Sequence, residues 1–341
     1  MASESLEPAV KTLLASLGRG RAGFNIEPLS ASGNNRVFTL YCDGKMLVLK
    51  WYFHDAEDTR DRLGSEYAFL EHAWNIGLRC IPQPIGKDAN SYLALYEFVE
   101  GRKLGAHEVD VGVLQQAAHF FASINSLHSR EQASALPHAS EACFSLTEHF
   151  DMLDARLSRL LDMPVESDVD RCAAEFVSRL TAYWADTKPR IIQGSAALEL
   201  SSDGALPAEE RCLSPSDFGF HNALLRPDGS VCFIDFEYAG WDDPAKTVGD
   251  FFSHPGVAVS HEQFEPFLAR ALAPFDNAEQ MAARVRLLEP ISQMKWCCII
   301  LNEFLPAAAR RRNFANPVSD AIALKQRQLD KATQLFESLP H

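Results

Sequence analysis

The chain has 341 residues, of which 47% are hydrophobic and 23% are charged, and its formal net charge is −14. Such a length fits one large domain or two lobes, and the composition is that of a globular protein rather than a disordered or fibrous one. No long basic block could follow a phosphate backbone, which argues against nucleic acid and anionic membrane surfaces as partners.

The first hundred residues predict a small sheet with two helices. Residues 36–52 predict a β-hairpin, because two β-rich runs flank Asp43-Gly44, a strong turn signal. Residues 65–77 predict a helix, since apolar side chains recur at helical spacing and Ser65 is a candidate cap. The other predictions in this region are a helix at 5–18, a connector with the sequence IPQPIG, and a strand at 91–99.

From about residue 100 onwards the pattern is mainly helical. Periodicity predicts helices at 110–128, 145–161, 168–186, 261–273, 278–304 and 319–337. Residues 193–210 are small and polar and predict a loop, and residues 223–235 predict a second hairpin around the turn sequence RPDGS. This order predicts an α+β protein with a β-rich N-terminal lobe, residues 1–98, and a larger, mostly helical lobe, residues 99–341.

Cysteine usage and the first residues predict a cytoplasmic protein. The eight cysteines form no CxxC pair and no zinc spacing, and most lie in apolar runs, which is typical of reduced, buried thiols. The start MASESLEPAV lacks the basic and then apolar plan of a signal peptide. No apolar stretch reaches the roughly 18 residues of a membrane span, so we expect no membrane partner.

Three side chains that carry oxygen ligands converge at one end of the second hairpin. When its strands pair around RPDGS, Asn222 falls beside Asp235 at the open end, and Asp217 can reach that end from the preceding loop. The two carboxylates would repel each other unless the cluster held a cation, and a set of two carboxylates and a carboxamide suits Mg²⁺ better than Zn²⁺. Taken singly, each residue would more often be a cap or part of an Asx-turn.

The spacing D-x-x-x-x-N, followed by a strand ending in Asp, resembles the catalytic segment of the aminoglycoside phosphotransferase/choline kinase family. Where that family reads roughly H-G-D-x-x-x-x-N, I-D-F/W-E-x-A with D-P, and a further Asp, this chain reads PSDFGFHN, IDFEYAGWDDP and VGD. The resemblance covers about residues 30–255 and implies a bilobal protein-kinase-like fold. One departure is Pro215, which stands where the family has a His two positions before its catalytic Asp.

The resemblance implies a role for each acidic or amide side chain of this segment. Asp217 would be the catalytic base, and Asn222 and Asp235 would hold Mg²⁺ on the nucleotide phosphates. Asp250 would brace the catalytic loop. Glu237 follows Asp235 by two residues, so in a strand it would point to the same side and be a candidate for the metal shell.

A lysine and a glutamate of the N-terminal lobe complete the charged part of a nucleotide site. Lys50 lies in the predicted strand MLVLKWY, where a lone Lys would more often face solvent. Glu66 lies on the apolar face of the next helix and needs a partner if it is buried. By the resemblance, Lys50 would hold the α- and β-phosphates and Glu66 would hold Lys50.

Two further segments would surround the nucleotide. Gly33, Asn34 and Asn35 would form a loop over the phosphates, with backbone N–H groups facing phosphate oxygens, although this stretch would equally form a plain turn. The resemblance implies that backbone groups of Glu97 and Val99, in the segment joining the lobes, meet the adenine edge. Because backbone groups make these contacts, side-chain identity says little about them.

The acceptor pocket would be built by helices of the large lobe, according to the resemblance. Candidates are residues 119–150 and the helix that carries Trp296, Asn302 and Glu303. Arg310–Arg312 follow that helix and would either hold an anionic acceptor or form a solvated basic helix end, which the helix dipole favours.

Together these patterns predict an ATP- and Mg²⁺-dependent kinase that phosphorylates a hydroxyl group of a sugar-like, amino-sugar or amino-alcohol acceptor. Two alternatives stay open: a kinase-like protein that transfers AMP, and a non-catalytic nucleotide-binding or interaction module. The intact order of Lys50, Glu66, Asp217, Asn222 and Asp235 disfavours AMP transfer, and the presence of the base argues against the module.

Overall fold

The computed structural model describes residues 2–19, 23–31, 35–54, 60–200, 204–306 and 320–339. The chain divides into unit 1, Met1–Glu141 with Pro215–Trp241, and unit 2, Ala142–Ser214 with Asp242–His341. Within the described ranges, no helix is both long enough and apolar enough to cross a bilayer. The sequence-based boundary between lobes after residue 98 stays a prediction.

Unit 1 contains a five-stranded antiparallel sheet. In the order β1-β2-β3-β5-β4 its strands are β1 (Phe24–Ala31), β2 (Asn35–Cys42), β3 (Lys45–Tyr52), β5 (Leu93–Glu97) and β4 (Pro84–Asp88). The predicted first hairpin is confirmed: β2 pairs with β3 around Asp43 and Gly44, whose φ angles of 52° and 69° suit a tight two-residue turn. The connector predicted for the sequence IPQPIG, residues 81–86, was wrong for residues 84–86, which belong to β4 and pair with β5.

In the part of the chain that the structure describes, unit 1 also contains four α-helices: α1 (Ala2–Ser16) precedes the strands of the sheet in the chain, α2 (Arg62–Asn75) lies between β3 and β4, and α3 (Val111–Ile124) and α4 (Leu127–Gln132) follow β5. Helix α1 buries Leu6, Val10 and Leu13 in a core shared with Phe38 and Leu49 of the sheet. The predicted cap at Ser65 was wrong, because α2 begins three residues earlier: the Asp61 side chain accepts the N–H of Gly64 at 2.8 Å.

The predicted second hairpin is confirmed. Strands β8 (Ala223–Leu225) and β9 (Val231–Phe233) pair around a turn closed by the Arg226 N–H on the Ser230 carbonyl at 2.8 Å, and β6 (Arg102–Lys103) pairs with β8. Beyond the strands, the Ile234 N–H donates to the Asn222 carbonyl at 2.9 Å. This last bond places Asn222 across from the residue that precedes Asp235.

A cluster of phenylalanines anchors both ends of the hairpin from inside unit 1. Phe120 of α3 stacks on Phe233 with ring centroids 4.8 Å apart, and it also contacts Phe218 and Phe236. Phe69 of α2 stacks on Phe236 at 5.0 Å. Since Phe218 and Phe236 each follow an aspartate of the predicted site, burying their rings fixes the backbone that carries those aspartates.

Unit 2 is mainly helical, as predicted. Its elements are α5 (Leu146–Leu161), α6 (Asp168–Ala197), β7 (Cys212–Ser214), α7 (Pro244–Ser253), α8 (Phe264–Ala271), α9 (Ala278–Ile300) and α10 (Ala321–Glu337). A short strand, β10 (Gly240–Asp242), begins in unit 1, and its last residue, Asp242, is counted in unit 2. The loop predicted at 193–210 was wrong for residues 193–197, which belong to α6. A Cβ on Gly194 would lie 2.6 Å from Leu287 Cδ1, so close packing on α9 sustains helix where the sequence shows no periodicity.

Buried ion pairs join the helices of unit 2. Asp243 accepts hydrogen bonds from Arg284 Nη2 at 2.6 Å and from His149 Nε2 at 3.1 Å, and Lys246 donates to Asp242 at 2.7 Å. Burial alone would raise the pKa of Asp243, but Arg284 and His149 outweigh it and hold that pKa well below its usual range. The carboxylate therefore stays charged between its partners.

We expect Phe120→Ala to lower the free energy of unfolding by about 3–5 kcal/mol, because it removes a ring packed on three others. Urea denaturation measures this loss. Leu127→Ala is the matched control, since Leu127 is 62% exposed and its loss should cost less than about 0.5 kcal/mol. Equal effects of the two substitutions would contradict the proposed aromatic anchor.

Candidate active site

Lys50 lies at the centre of a buried charge cluster in unit 1. Its Nζ donates to Glu66 Oε2 at 2.7 Å and to Asp235 Oδ1 at 2.5 Å. Lys50 is 5% exposed and Glu66 is 4% exposed. The structure thus brings together three residues that the sequence had placed separately in a strand, a helix and the end of a hairpin.

Both carboxylate oxygens of Glu66 accept hydrogen bonds. Oε2 accepts from the Tyr52 hydroxyl at 2.6 Å as well as from Lys50, and Oε1 accepts from the Phe236 N–H at 3.2 Å. Burial raises the pKa of Glu66, although Lys50 opposes this. Burial would lower the pKa of Lys50, but Glu66 and Asp235 outweigh it and raise that pKa, so the amine stays protonated.

Asp235 has an uncommon backbone conformation. Its φ of 70° lies in the left-handed region, which few residues other than Gly adopt, although Asn and Asp do so more often than most. The Phe236 N–H bond to Glu66 and the Ile234 N–H bond to Asn222 hold the backbone on either side. Such conformations persist where neighbours over-determine them and are common at functional sites.

The argument from strand alternation does not apply to Glu237, and its place in a metal shell stays a prediction. Strand β9 ends at Phe233, and the turn at Asp235 removes the alternation on which that argument depended. The Glu237 carboxylate is buried, accepts from Asn35 Nδ2 at 2.5 Å and lies 3.8 Å from Arg62 Nε. These contacts give Glu237 a structural role in joining β2 and α2 to the segment after the hairpin.

Asp217 and Asn222 are in direct contact. Asn222 Nδ2 donates to the Asp217 carbonyl at 3.1 Å and to Asp217 Oδ2 at 3.0 Å. The other carboxylate oxygen, Oδ1, lies 3.1 Å from His221 Nε2. Sequence reasoning missed His221, because no local pattern marks a single histidine whose partner is another side chain.

A cavity of about 460 Å³ in unit 1 contains most of the predicted site. Lys50, Glu66, Asn222 and Asp235 line one part of it, and Lys103, which sequence reasoning missed, lines it too. The remaining wall is largely apolar and includes Val37, Val48, Leu70, Tyr96, Glu97, Val99, Leu224 and Ile234. A cavity with apolar walls and a few convergent charges is typical of a small-molecule site.

The predicted phosphate loop is described only in part. Gly33 and Asn34 lie outside the described residues. Asn35 is the first residue of β2 and is buried; besides its bond to Glu237, its Oδ1 accepts from the Phe53 N–H at 3.2 Å. The side chain of Asn35 therefore fixes local structure, and the role of this loop at phosphates stays a prediction.

Asp250 belongs to unit 2, on helix α7. Its carboxylate accepts from Lys295 Nζ at 2.5 Å and lies 3.8 Å from Lys246 Nζ, and all three residues are buried. These contacts tie α7 to α9. The role implied by the resemblance, bracing the catalytic loop, stays a prediction.

The candidate acceptor residues lie at the C-terminal end of α9. The Trp296 ring contacts the His254 ring edge to face, with centroids 4.3 Å apart. Asn302 and Glu303 lie in the 3₁₀ turn that follows α9. Arg310–Arg312 fall outside the described residues, so their part in holding an acceptor stays a prediction.

The sheet, the buried Lys–Glu pair and the D-x-x-x-x-N loop together define a protein of the protein-kinase-like fold. The model of the phosphotransferase enzyme family (APH) matches residues 25–288, and the chain belongs to this family. The prediction of a phosphotransferase and the suspected family are therefore confirmed. A comparison with the sequences of curated proteins found no match.

Solved structures confirm the predicted bilobal kinase-like fold at low sequence identity. A choline/ethanolamine kinase family protein from Mesorhizobium loti is 17% identical, with a TM-score of 0.59 over 98% of this chain and 95% of that chain. An ethanolamine kinase from Plasmodium vivax is 11% identical, with a TM-score of 0.59 over 99% and 89%. A spectinomycin phosphotransferase in complex with ADP and spectinomycin is 11% identical, with a TM-score of 0.54 over 92% and 93%.

A double-mutant cycle tests the buried cluster. We expect Lys50→Met to lower the free energy of unfolding by about 3–5 kcal/mol, because Glu66 would stay buried beside Asp235 without a counter-charge. Adding Glu66→Leu should recover most of this loss, since no uncompensated charge then remains buried.

The matched control for this cycle is Lys45→Met, an exposed lysine on the same strand, which should change stability by less than about 0.5 kcal/mol. The measurement is urea denaturation of the four proteins of the cycle and the control. Additive losses in the double variant would show that Lys50 and Glu66 do not depend on each other.

Proposed function

We propose that this chain is an ATP- and Mg²⁺-dependent small-molecule kinase that phosphorylates a hydroxyl group of a sugar-like, amino-sugar or amino-alcohol acceptor. One observation carries the proposal: Lys50 binds both Glu66 and Asp235 at a cavity that Asn222 also lines. Phosphoryl transfer is mainly a matter of positioning phosphates and balancing their charge, and these residue types do both.

The nucleotide would occupy the cavity of unit 1. Its apolar walls suit a purine, and the Glu97 and Val99 backbone would meet the adenine edge, while Lys50 would hold the α- and β-phosphates. Among the similar solved structures, one was determined with ADP and spectinomycin and another with AMP. These complexes support nucleotide binding by a protein of this fold.

The residues present fit a magnesium ion. The Asn222 amide nitrogen is engaged with Asp217, so the amide oxygen would be the ligand atom, and the Asp235 side chain is 33% exposed with Oδ1 on Lys50. A carboxylate and an amide oxygen are hard ligands of the kind Mg²⁺ uses together with substrate phosphates. When bound, Mg²⁺ would neutralise charge on those phosphates.

Asp217 would act as the general base. The acceptor hydroxyl would lose its proton to the Asp217 carboxylate as its oxygen forms a bond to the γ-phosphorus, while the bond from that phosphorus to the bridging oxygen breaks and ADP leaves. The Asn222 side-chain amide donates a hydrogen bond to Asp217 Oδ2, which helps to orient the carboxylate of the proposed base.

We also propose a cytoplasmic location, supported by the state of the thiols. Six of the eight cysteines are buried and none forms a disulfide. Burial raises the pKa of Cys143 and of Cys232 to about 12, so these thiols stay protonated and unreactive.

The test of the function is ATP turnover with Mg²⁺ against sugars, amino sugars, choline-like alcohols and aminoglycosides, with product masses recorded. We expect one acceptor class to stimulate ADP formation and to gain a phosphoryl group. Asp217→Asn should lower kcat by about 10²–10⁴-fold, because the base is lost while the shape is kept. Formation of AMP-modified product would favour AMP transfer, and nucleotide binding without any turnover would favour the non-catalytic module.

The proposed metal ligands make a separate prediction. Asp235→Asn and Asn222→Ala should each raise the Mg²⁺ concentration needed for half-maximal activity, about tenfold or more, because each removes a ligand. Asp228→Asn is the control: Asp228 lies in the turn of the same hairpin and contacts Ser230, so its Mg²⁺ dependence should match the wild type. An unchanged Mg²⁺ requirement in both ligand variants would contradict the assignment.

A further inference from the structure

We propose that His221 is a positioning residue that holds the Asp217 carboxylate in the orientation needed for proton abstraction, a role that rests on the proposed function. His221 Nε2 lies 3.1 Å from Asp217 Oδ1. Because a carboxylate oxygen can only accept, Nε2 carries the proton and donates it to this hydrogen bond. Neither the family motif nor the sequence pattern assigns His221 a role.

Both oxygens of Asp217 are held by side chains that follow it in the chain. Asn222 Nδ2 binds Oδ2 at 3.0 Å and His221 Nε2 binds Oδ1. The torsion that turns a carboxylate about its Cβ–Cγ bond is broad and poorly defined on its own. Donors on both oxygens restrict that torsion.

The backbone around His221 is built to present its imidazole ring. His221 lies in a 3₁₀ turn between the buried Phe220 ring and Asn222, and its carbonyl accepts from Lys103 Nζ at 2.8 Å. A Cβ on Gly219 would lie 2.7 Å from His221 Nδ1. The absence of a side chain at Gly219 therefore leaves the space that the ring occupies.

The position of His221 differs from that of the histidine in the family motif. Where the family motif has an imidazole before its catalytic Asp, this chain has a proline, which offers no donor. The imidazole instead comes four positions after Asp217. Because a Cβ on Gly219 would lie against the ring, the glycine leaves room for His221 to reach Asp217.

Steady-state kinetics of His221→Leu and His221→Gln test the role in catalysis. We expect His221→Leu to lower kcat by about 10–100-fold with the KM for ATP within about twofold of wild type, because misplacing the base affects the chemical step alone. His221→Gln should recover part of kcat, since its amide can donate to the same oxygen. His128→Gln, an exposed histidine of α4, is the control and should match wild type.

Histidine side-chain ¹⁵N–¹H correlation spectra test the contact without needing activity. We expect the His221 ring, assigned by its loss in His221→Gln, to carry its proton on Nε2 and to shift more than the other imidazoles in Asp217→Ala. Thermal unfolding of each variant shows that the fold is kept. If the wild type turns over no ATP, the proposed function fails, but these spectra still test whether His221 and Asp217 are hydrogen-bonded.

Two results would overturn the inference. One is an active enzyme in which His221→Leu keeps the wild-type kcat, or in which the substitution lowers kcat, raises the KM for ATP and lowers the stability of the protein together. The other is a His221 ring signal that does not respond to Asp217→Ala, which would show that the two side chains are not bonded in solution.

Discussion

Lys50 carries its charge into a part of unit 1 that solvent barely reaches, and an ammonium group is stable there only beside carboxylates. Glu66 and Asp235 supply them, from helix α2 and from the segment after β9. One buried cation therefore joins three stretches of chain that are distant in sequence. The left-handed turn at Asp235, the Tyr52 hydroxyl and the Phe236 N–H all serve this one arrangement. The cluster therefore contributes to the fixed geometry of the cavity that Lys50, Glu66 and Asp235 line.

Catalytic orientation would then be set within the loop that precedes the hairpin. Asn222 contacts Asp217 through its amide nitrogen and lines the cavity, so a single side chain connects the proposed base with the proposed metal site. Phe120 packs against the rings of Phe218 and Phe236. Packing and hydrogen bonding thus fix the same backbone, which is how a site keeps its geometry before substrate arrives.

The sequence predicted those features that depend on local pattern or fixed spacing. The Asp43-Gly44 hairpin and the hairpin around RPDGS follow from turn chemistry, which neighbouring residues determine. The meeting of Lys50 with Glu66 was expected from the family resemblance and from the need of a buried Glu for a partner. Features that depend on distant contacts were missed. Strand β4 exists because β5 pairs with it, α6 continues past Gly194 because α9 packs against it, and Glu237 lies beside Asn35 because the chain turns at Asp235. His221 was missed because a lone histidine has no periodicity and its partner is a side chain.

Calorimetric titration of the wild-type protein with a non-hydrolysable ATP analogue, with Mg²⁺ and with a chelator in its place, tests the central claim most directly. Because Lys50, Asn222 and Asp235 face one cavity, we expect one nucleotide to bind per chain, and to bind at least about tenfold more tightly with Mg²⁺. No binding under either condition, or an affinity that Mg²⁺ does not change, would contradict a magnesium–nucleotide site built around Lys50.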